Sequence, residues 1–155
     1  MKTKKSVSGL NSVIKAAVEA TPDIAHAYED GLRAMGKYSH KVELGGACEG
    51  SVDIDTAVTG KFPTANRWDY AFRYDGKIYY VEVHSANTSE VSVVLRKLQW
   101  LKDWLNTEAP EMNRHKGNPA FFWIQSGKFN ILPASSQYRL ASQKNMLPRP
   151  KLSLK

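Results

Sequence analysis

Two carboxylates and a histidine are the residues of this chain whose types and spacing could do chemistry. Asp69 lies near the start of an aromatic, alternating segment, and Glu82 and His84 lie two residues apart in the next such segment. Asp75-Gly76 separates the two segments, and Asp-Gly in that position is the strongest short signal for a two-residue hairpin turn. In the register that this turn sets, Asp69 lies directly opposite Glu82 and His84 shares their face of the sheet.

Two opposed carboxylates need compensation. Opposed residues of an antiparallel pair have Cβ atoms about 4.5–5.5 Å apart, and like charges in that position destabilise a sheet. A divalent cation, Mg²⁺ or Mn²⁺, would neutralise the pair and support water attack on a phosphate. Arg67 and Arg73 fall on the same predicted face and offer the alternative, in which each pairs with a carboxylate and no metal is needed.

The elements that must position these residues follow from hydrophobic periodicity, which changes along the chain from about 3.6 to 2. We expect, in chain order, helices over 8–20 and 22–36, an extended piece over 41–44, strands over 51–58, 67–74 and 77–84, a helix over 89–106, and strands over 120–125 and 128–132. Ser89 is the expected N-cap of the third helix. The core order is therefore helix, three strands, helix, strand.

This order and these acids resemble the PD-(D/E)xK nuclease superfamily, whose core runs helix, three strands, helix, strand. The family signature is an acid on the second strand, followed on the third by an acid, any residue and a lysine. Asp69 and Glu82 match the acids, and His84 stands where the lysine would be. The resemblance implies an α/β fold with a three-layer restriction-endonuclease-like core, in which the three consecutive strands are antiparallel.

The resemblance also implies a metal-dependent endonuclease that hydrolyses phosphodiester bonds in DNA, with Mg²⁺ or Mn²⁺ as cofactor. Asp69, Glu82 and the carbonyl of Val83 would then be the metal ligands. A carboxylate on the leading helix, Glu29 or with less support Glu19, would add to the site.

His84 leaves three interpretations open. Its imidazole could activate or orient the attacking water, because its ordinary pKa lies near 6.5. It could mark a protein that keeps the fold without the chemistry. The lysine could also have moved to the following helix, where Lys97 and Arg96 are the candidates.

Two other groups of residues are open to two interpretations each. Asp53 and Asp55 would enlarge the acidic site if their strand neighbours that of Asp69, and a solvent-facing alternation explains them equally well. Trp100 and Trp104 lie four residues apart on a helix, where they could stack bases, although packing in the core is the commoner use.

The charge of the chain is concentrated at its ends. The formal net charge is +7, and no Asp or Glu follows Met112, whereas eight Lys and Arg do. This asymmetry favours a nucleic-acid partner, with improved solubility as the alternative explanation, and the resemblance makes DNA the expected partner rather than RNA. The predicted nucleic-acid contacts are Arg67, Arg73, Arg96, Lys97, Arg139, Lys144, Arg149 and Lys151.

The remaining expectations concern organisation and location. We expect one nuclease-like domain over 1–132 and a basic, partly irregular tail over 133–155. No apolar run is long enough for a membrane span and no secretory signal is recognised, so a cytoplasmic protein is expected. A homodimer is a further expectation from the resemblance. The alternative function is a catalytically inactive nucleic-acid-binding or protein-interaction module on the same fold.

Overall fold

A computed structural model describes residues 13–155 of the chain. It is a mixed α/β structure, with one five-stranded sheet, one small two-stranded sheet and five α-helices among these residues. The helices are α1 (13–19 in the described part), α2 (Ile54–Val58), α3 (Val91–Thr107), α4 (Pro110–Arg114) and α5 (Ser136–Gln143). The strands are β1 (Tyr28–Glu29), β2 (Val42–Leu44), β3 (Gly50–Asp53), β4 (Tyr70–Tyr74), β5 (Lys77–Asn87), β6 (Lys116–Asn130) and β7 (Leu152–Leu154).

The large sheet has the order β1-β3-β4-β5-β6. Strands β3, β4 and β5 form an antiparallel meander, and β6 lies parallel to β5 after the crossover through α3 and α4. The β4–β5 hairpin pairs Tyr70 with Val81 and Tyr74 with Lys77, which confirms the predicted register. Asp75 and Gly76 both have positive φ, as a type I′ turn requires.

Both faces of the sheet are buried. On one face α3 packs against alternate strand residues such as Ala71, Tyr80 and Trp123 to form the larger core. On the other face Phe72 and Val81 belong to a smaller core. Glu82 alternates with Val81 along β5, and the Glu82 side chain bonds to α3, so it lies on the α3 face.

The predicted helix over 22–36 is wrong. A 3₁₀ turn at Pro22–Ile24, strand β1 and a 3₁₀ segment at Arg33–Lys41 replace it. The apolar residues at helical spacing in this segment pack in two different cores, Ile24 on the α3 face and Met35 on the opposite face. One helix stripe cannot reach both faces of a sheet. Gly31 lies between them with a φ of 55°, a conformation that ends a helical run.

The other elements differ mainly in their limits. The predicted strand over 51–58 ends at Asp53, which caps α2 by accepting a hydrogen bond from the Thr56 amide at 2.9 Å. The third predicted helix begins at Val91 rather than at Ser89, after a 3₁₀ turn at Thr88–Glu90. The two predicted strands after residue 120 form one strand, β6, because the chain does not turn at 126–127. The extended piece over 41–44 is confirmed as β2.

Residues 133–155 pack against the rest of the chain. Ala141 of α5 and Met146 belong to the larger core, and Leu152 of β7 belongs to the smaller one. Strand β7 pairs in parallel with β2, and Arg149 exchanges backbone hydrogen bonds with Trp123 and Gln125. Residues 1–12 lie outside the described residues, so the predicted start of the first helix at residue 8 is not tested. Within 13–155, no helix has the length and apolar composition that a membrane crossing requires.

Candidate functional site

The candidate site lies where the β4–β5 ladder ends. Tyr70 and Val81 are the last paired residues, and beyond them β5 continues to Asn87 with only β6 beside it. Asp69 therefore stands at the mouth of a gap in the sheet, directly before β4. Its backbone N–H donates to Glu82 Oε1 at 3.1 Å, and its own Oδ2 accepts from the Val83 N–H at 2.9 Å. Asp69 and Glu82 lie opposite each other, as predicted. Hydrogen bonds from backbone amides to these two side chains replace the next backbone–backbone hydrogen bonds of the ladder.

Lys97 compensates the acidic pair. Its Nζ lies 2.5 Å from Glu82 Oε2, and the Glu82 side chain is fully buried. The helix α3 crosses this face of the sheet and points Lys97 at the gap, whereas Arg96, the other candidate on α3, is exposed. Of the alternatives left open by the sequence, the structure therefore brings the lysine of the following helix to the two acids.

The two arginines of the hairpin bind other acids. Arg67 Nε lies 2.7 Å from Asp55 Oδ1, and Arg73 Nε lies 2.8 Å from Glu49 Oε2. Arg73 and Glu49 are both buried, so the Arg73 guanidinium is not available to a nucleic acid. The interpretation in which the arginines neutralise Asp69 and Glu82 is therefore wrong.

His84 lies between two acids on the same side of the gap. Its Nε2 is 2.6 Å from Glu90 Oε1, and its Nδ1 is 3.6 Å from Glu82 Oε2. Contact with Glu82 raises the pKa of His84, partial burial opposes this, and the bond to Glu90 adds to the rise. The imidazole is thus biased towards its protonated, cationic form.

Charge and burial act together on Asp69 and Lys97. Burial and the neighbouring charge of Glu82 raise the pKa of Asp69 to about 7, although Lys97 and the Val83 amide act in the opposite direction. Burial lowers the pKa of Lys97, but the attraction of Glu82 and Asp69 outweighs it and the pKa is raised. Lys97 is therefore not enough to keep the pKa of Asp69 at its ordinary value.

Asp55 is a further acid close to the site, and the sequence had left its role open. Strand β3 does neighbour β4, and α2 starts beside Asp69, so the Asp55 amide donates to the Asp69 carbonyl at 3.3 Å. The charge of Asp55 acts on both Asp69 and Lys97. Asp53 instead caps α2 and points away from this cluster into its own helix.

The structure does not bring the predicted additional acid to the pair. Glu29 lies on the edge strand β1, in the row of Ser51 and Phe72, whose side chains face away from α3. It lines a separate cavity with Asp53 and Arg33. Glu19 is exposed at the end of α1. The leading helix that was to carry Glu29 is absent, and this is the reason for its displacement.

The basic residues of the last segment are exposed, but they are not gathered at the gap. Arg139 and Lys144 belong to or follow α5, Arg149 lies over the Phe122 ring at 5.1 Å, and Lys151 is 3.5 Å from Glu43. Phe122 is a residue of the smaller core, on the face opposite Glu82.

The donor set decides which cation the site could take. Asp69 and Glu82 supply hard carboxylate oxygens, and Asp69 Oδ1 accepts no hydrogen bond from a described residue. This fits Mg²⁺ or Mn²⁺, which bind proteins through one or two carboxylates and keep several waters. Over residues 13–155, no three His, Cys, Asp or Glu side chains lie close enough together to form a complete metal cage.

Glu90 is the site residue that sequence reasoning missed. It lies in the 3₁₀ turn before α3, six residues after His84, and no periodic pattern places it next to the histidine. Its position at a helix start was the available signal, because acids are favoured there.

Comparison of the chain with protein-family models, with curated proteins and with solved structures finds no match.

Proposed function

We propose that this protein is a metal-dependent nuclease that hydrolyses phosphodiester bonds in nucleic acid, with DNA as the first substrate to test. The observation that carries the proposal is the contact of Lys97 with Glu82, directly opposite Asp69, at a gap in the sheet. Two hard carboxylates and an ammonium group within bonding distance suit metal-assisted attack of water on phosphorus. Few purely structural needs would place them together, because a buried pair of acids costs stability.

Each residue has a role in this proposal. Asp69 and Glu82 would hold Mg²⁺ or Mn²⁺, and the bound ion supplies charge stabilisation and a more acidic water. Lys97 fixes the Glu82 carboxylate and directs its remaining lone pairs to the gap. His84, whose Nε2 is held by Glu90 and whose Nδ1 lies 3.6 Å from Glu82 Oε2, is biased to the cationic form and would help to position the Glu82 carboxylate.

The order of elements supports the same proposal. The meander β3–β4–β5, the helix α3 and the parallel strand β6 follow one another as in the three-layer core of restriction endonucleases. Lys97 would then take the part of the lysine that the family keeps on the third strand, and His84 would not replace it.

A catalytically inactive binding module is the second candidate, and a specific observation favours it. Both Glu82 oxygens already have donors, Oε1 the Asp69 amide and Oε2 the Lys97 ammonium. A carboxylate satisfied in this way can be a structural element of the α3–sheet interface. This candidate predicts nucleic-acid binding that does not depend on a divalent cation and no cleavage.

The test is cleavage of plasmid and of single-stranded and duplex oligonucleotides, with Mg²⁺, with Mn²⁺ and with chelator. We expect metal-dependent cleavage that falls by at least about 10²-fold in Asp69→Asn, Glu82→Gln and Lys97→Met. Glu111→Gln, at a partly exposed residue of α4, and Lys77→Met, at an exposed residue of the hairpin turn, are the matched controls and should cleave like the wild type. Equal cleavage by Asp69→Asn would exclude this site, and binding without any cleavage would establish the second candidate.

A further inference from the structure

A cavity of about 370 Å³ lies between α3 and the loop that follows α2. Its volume is within the range of about 300–1,000 Å³ that is usual for small-ligand pockets. Its floor is aromatic: Trp100 stacks on Trp104 with ring centroids 5.8 Å apart, and Phe62 meets Trp100 edge-on at 5.6 Å. Asp103, Glu108 and Lys61 form the polar rim.

Trp100 is the tryptophan that can meet a ligand. Trp68, Trp104 and Trp123 are at most 2% exposed, and Trp100 is only partly buried. The Trp104 indole N–H is also bonded to Asp23 Oδ2 at 2.9 Å, which fixes that ring in the core. A flat ligand that enters the cavity would therefore lie against Trp100.

The cavity lies about one helical turn along α3 from Lys97. Trp100 is three residues after Lys97 and four after Arg96, so it lies on the same side of α3, about 5 Å further along the helix axis. The loop makes a second connection: Arg67 bonds the Phe62 carbonyl at 2.7 Å and Asp55 Oδ1 at 2.7 Å. A strand with a phosphate at Lys97 would have a neighbouring base on the side of α3 that carries Trp100.

The rim selects among possible ligands. Asp103 and Glu108 repel a phosphate and accept hydrogen bonds from the exocyclic amino groups of bases. An organic cation would bind over the aromatic rings, but the chain already places a cation there. Lys61 Nζ lies 5.3 Å from the centre of the Phe62 ring and is held by Glu108 at 2.6 Å and Asp23 at 3.0 Å.

We propose that this cavity binds one unpaired nucleobase of the substrate strand, stacked on Trp100, next to the phosphodiester group at Lys97. The proposal rests on the proposed nuclease function and gives it a substrate class. A base can reach the ring only when it is free of its duplex partner, so the preferred substrates are single strands, flaps and frayed ends. Arg96, exposed on the turn of α3 before Trp100, is positioned for the adjoining phosphate.

Tryptophan fluorescence tests the proposal without a cleavage readout. The wild-type chain is titrated, in chelator, with a single-stranded DNA 12-mer and with the same 12-mer made fully abasic. We expect the 12-mer to quench the emission of Trp100 and to bind about 5- to 150-fold more tightly than the abasic strand, the range of one base–aromatic stack. Trp100→Leu should lose this difference and the quenching, whereas Phe129→Leu, at an exposed aromatic on the far end of β6, should keep both.

Equal affinity of the wild type for the two strands would overturn the base pocket, whether or not Trp100→Leu folds. Quenching by tetramethylammonium with none by the 12-mer would overturn it in favour of a cation site. The experiments distinguish failure of the base-pocket proposal from failure of the nuclease proposal. Base-dependent quenching in a chain that never cleaves would retain the pocket and remove the nuclease, and metal-dependent cleavage with no base dependence would do the reverse.

Discussion

Glu82 is a fully buried acid whose nearest cationic partner is Lys97. Its Oε2 is held by Lys97, and removing one member of a buried pair leaves the other charge without compensation. We expect Lys97→Met to lower the free energy of unfolding by on the order of 3 kcal/mol. The double variant Lys97→Met/Glu82→Gln should recover most of this loss, because it removes the buried Glu82 charge together with its partner. Urea unfolding of the four proteins measures the cycle, and an equally unstable double variant would show that the loss comes from packing of the lysine stem.

Asp69 has the opposite character, because its environment favours the neutral form. Its pKa of about 7 in the folded chain lies above its ordinary value near 3.8, so the unfolded chain ionises first as the pH rises. Asp69 therefore costs no stability below about pH 4, costs progressively more from pH 4 to pH 7, and costs a constant amount above that range. We expect Asp69→Asn to be more stable than the wild type in chelator, by up to about 4 kcal/mol above pH 7.

The measurement for Asp69 is thermal unfolding at a series of pH values from 5 to 8. The advantage of Asp69→Asn should grow across this range, and Asp75→Asn, an exposed turn residue, should show no such trend. A constant difference from pH 5 to 8 would contradict the raised pKa. Glu82, Lys97 and Asp55 are the charged groups that face Asp69, and each enters its pKa.

The residues of the site were predictable to the extent that they share one hairpin. The Asp75-Gly76 turn fixes the register of β4 and β5, so the opposition of Asp69 and Glu82 follows from local sequence alone. Lys97 on α3 and Glu90 in the preceding 3₁₀ turn also contact this site. Hydrophobic periodicity could not predict these contacts, because it gives no information on the distance between two elements. Arg67 pairs with Asp55 and Arg73 pairs with Glu49, and no sequence pattern predicts either pair.

At the scale of elements, the capping of α2 decides where Asp55 and the loop after it lie. The Asp53 side chain accepts bonds from the Thr56 amide and hydroxyl, each at 2.9 Å. We expect Asp53→Ala to lower the free energy of unfolding by about 1 kcal/mol, and Asp53→Asn, which can still cap, by much less. Chemical denaturation measures both. Equal effects of the two substitutions would assign the role of Asp53 to its charge.

Elements were predictable where one face of a long segment is apolar. Helix α3 and strand β5 are of this kind, and their predicted ends are wrong by a few residues only. The 22–36 segment failed because its apolar residues serve both faces of the sheet. Strand β6 was divided in two because its polar second half, 126–130, continues beside β5 although its side chains are exposed.

At the scale of the whole molecule, several basic residues of the last segment lie exposed on the surface. Arg139, Lys144 and Arg149 are exposed and make no ion pair with any residue of the described chain. A strand held at the gap would be bound by Arg96 and by whichever of these residues its backbone meets. Deleting 133–155 cannot test this, because the deletion also removes Ala141, Met146 and Leu152 from the cores.

Substitution of the basic residues, unlike deletion of the segment, removes their charge and leaves the core residues in place. We expect Arg139→Gln/Lys144→Gln/Arg149→Gln to bind a fluorescent single strand with a shallower dependence of log affinity on log salt. Each lost phosphate contact should change the slope by about 0.7, so three contacts give a change of about 2. Lys151→Gln, at a residue already paired with Glu43, is the matched control and should change the slope least. Binding is measured over a salt series, because log affinity falls linearly with log salt. An unchanged slope in the triple variant would assign these residues to solubility and leave Arg96 on α3 as the phosphate contact nearest the site.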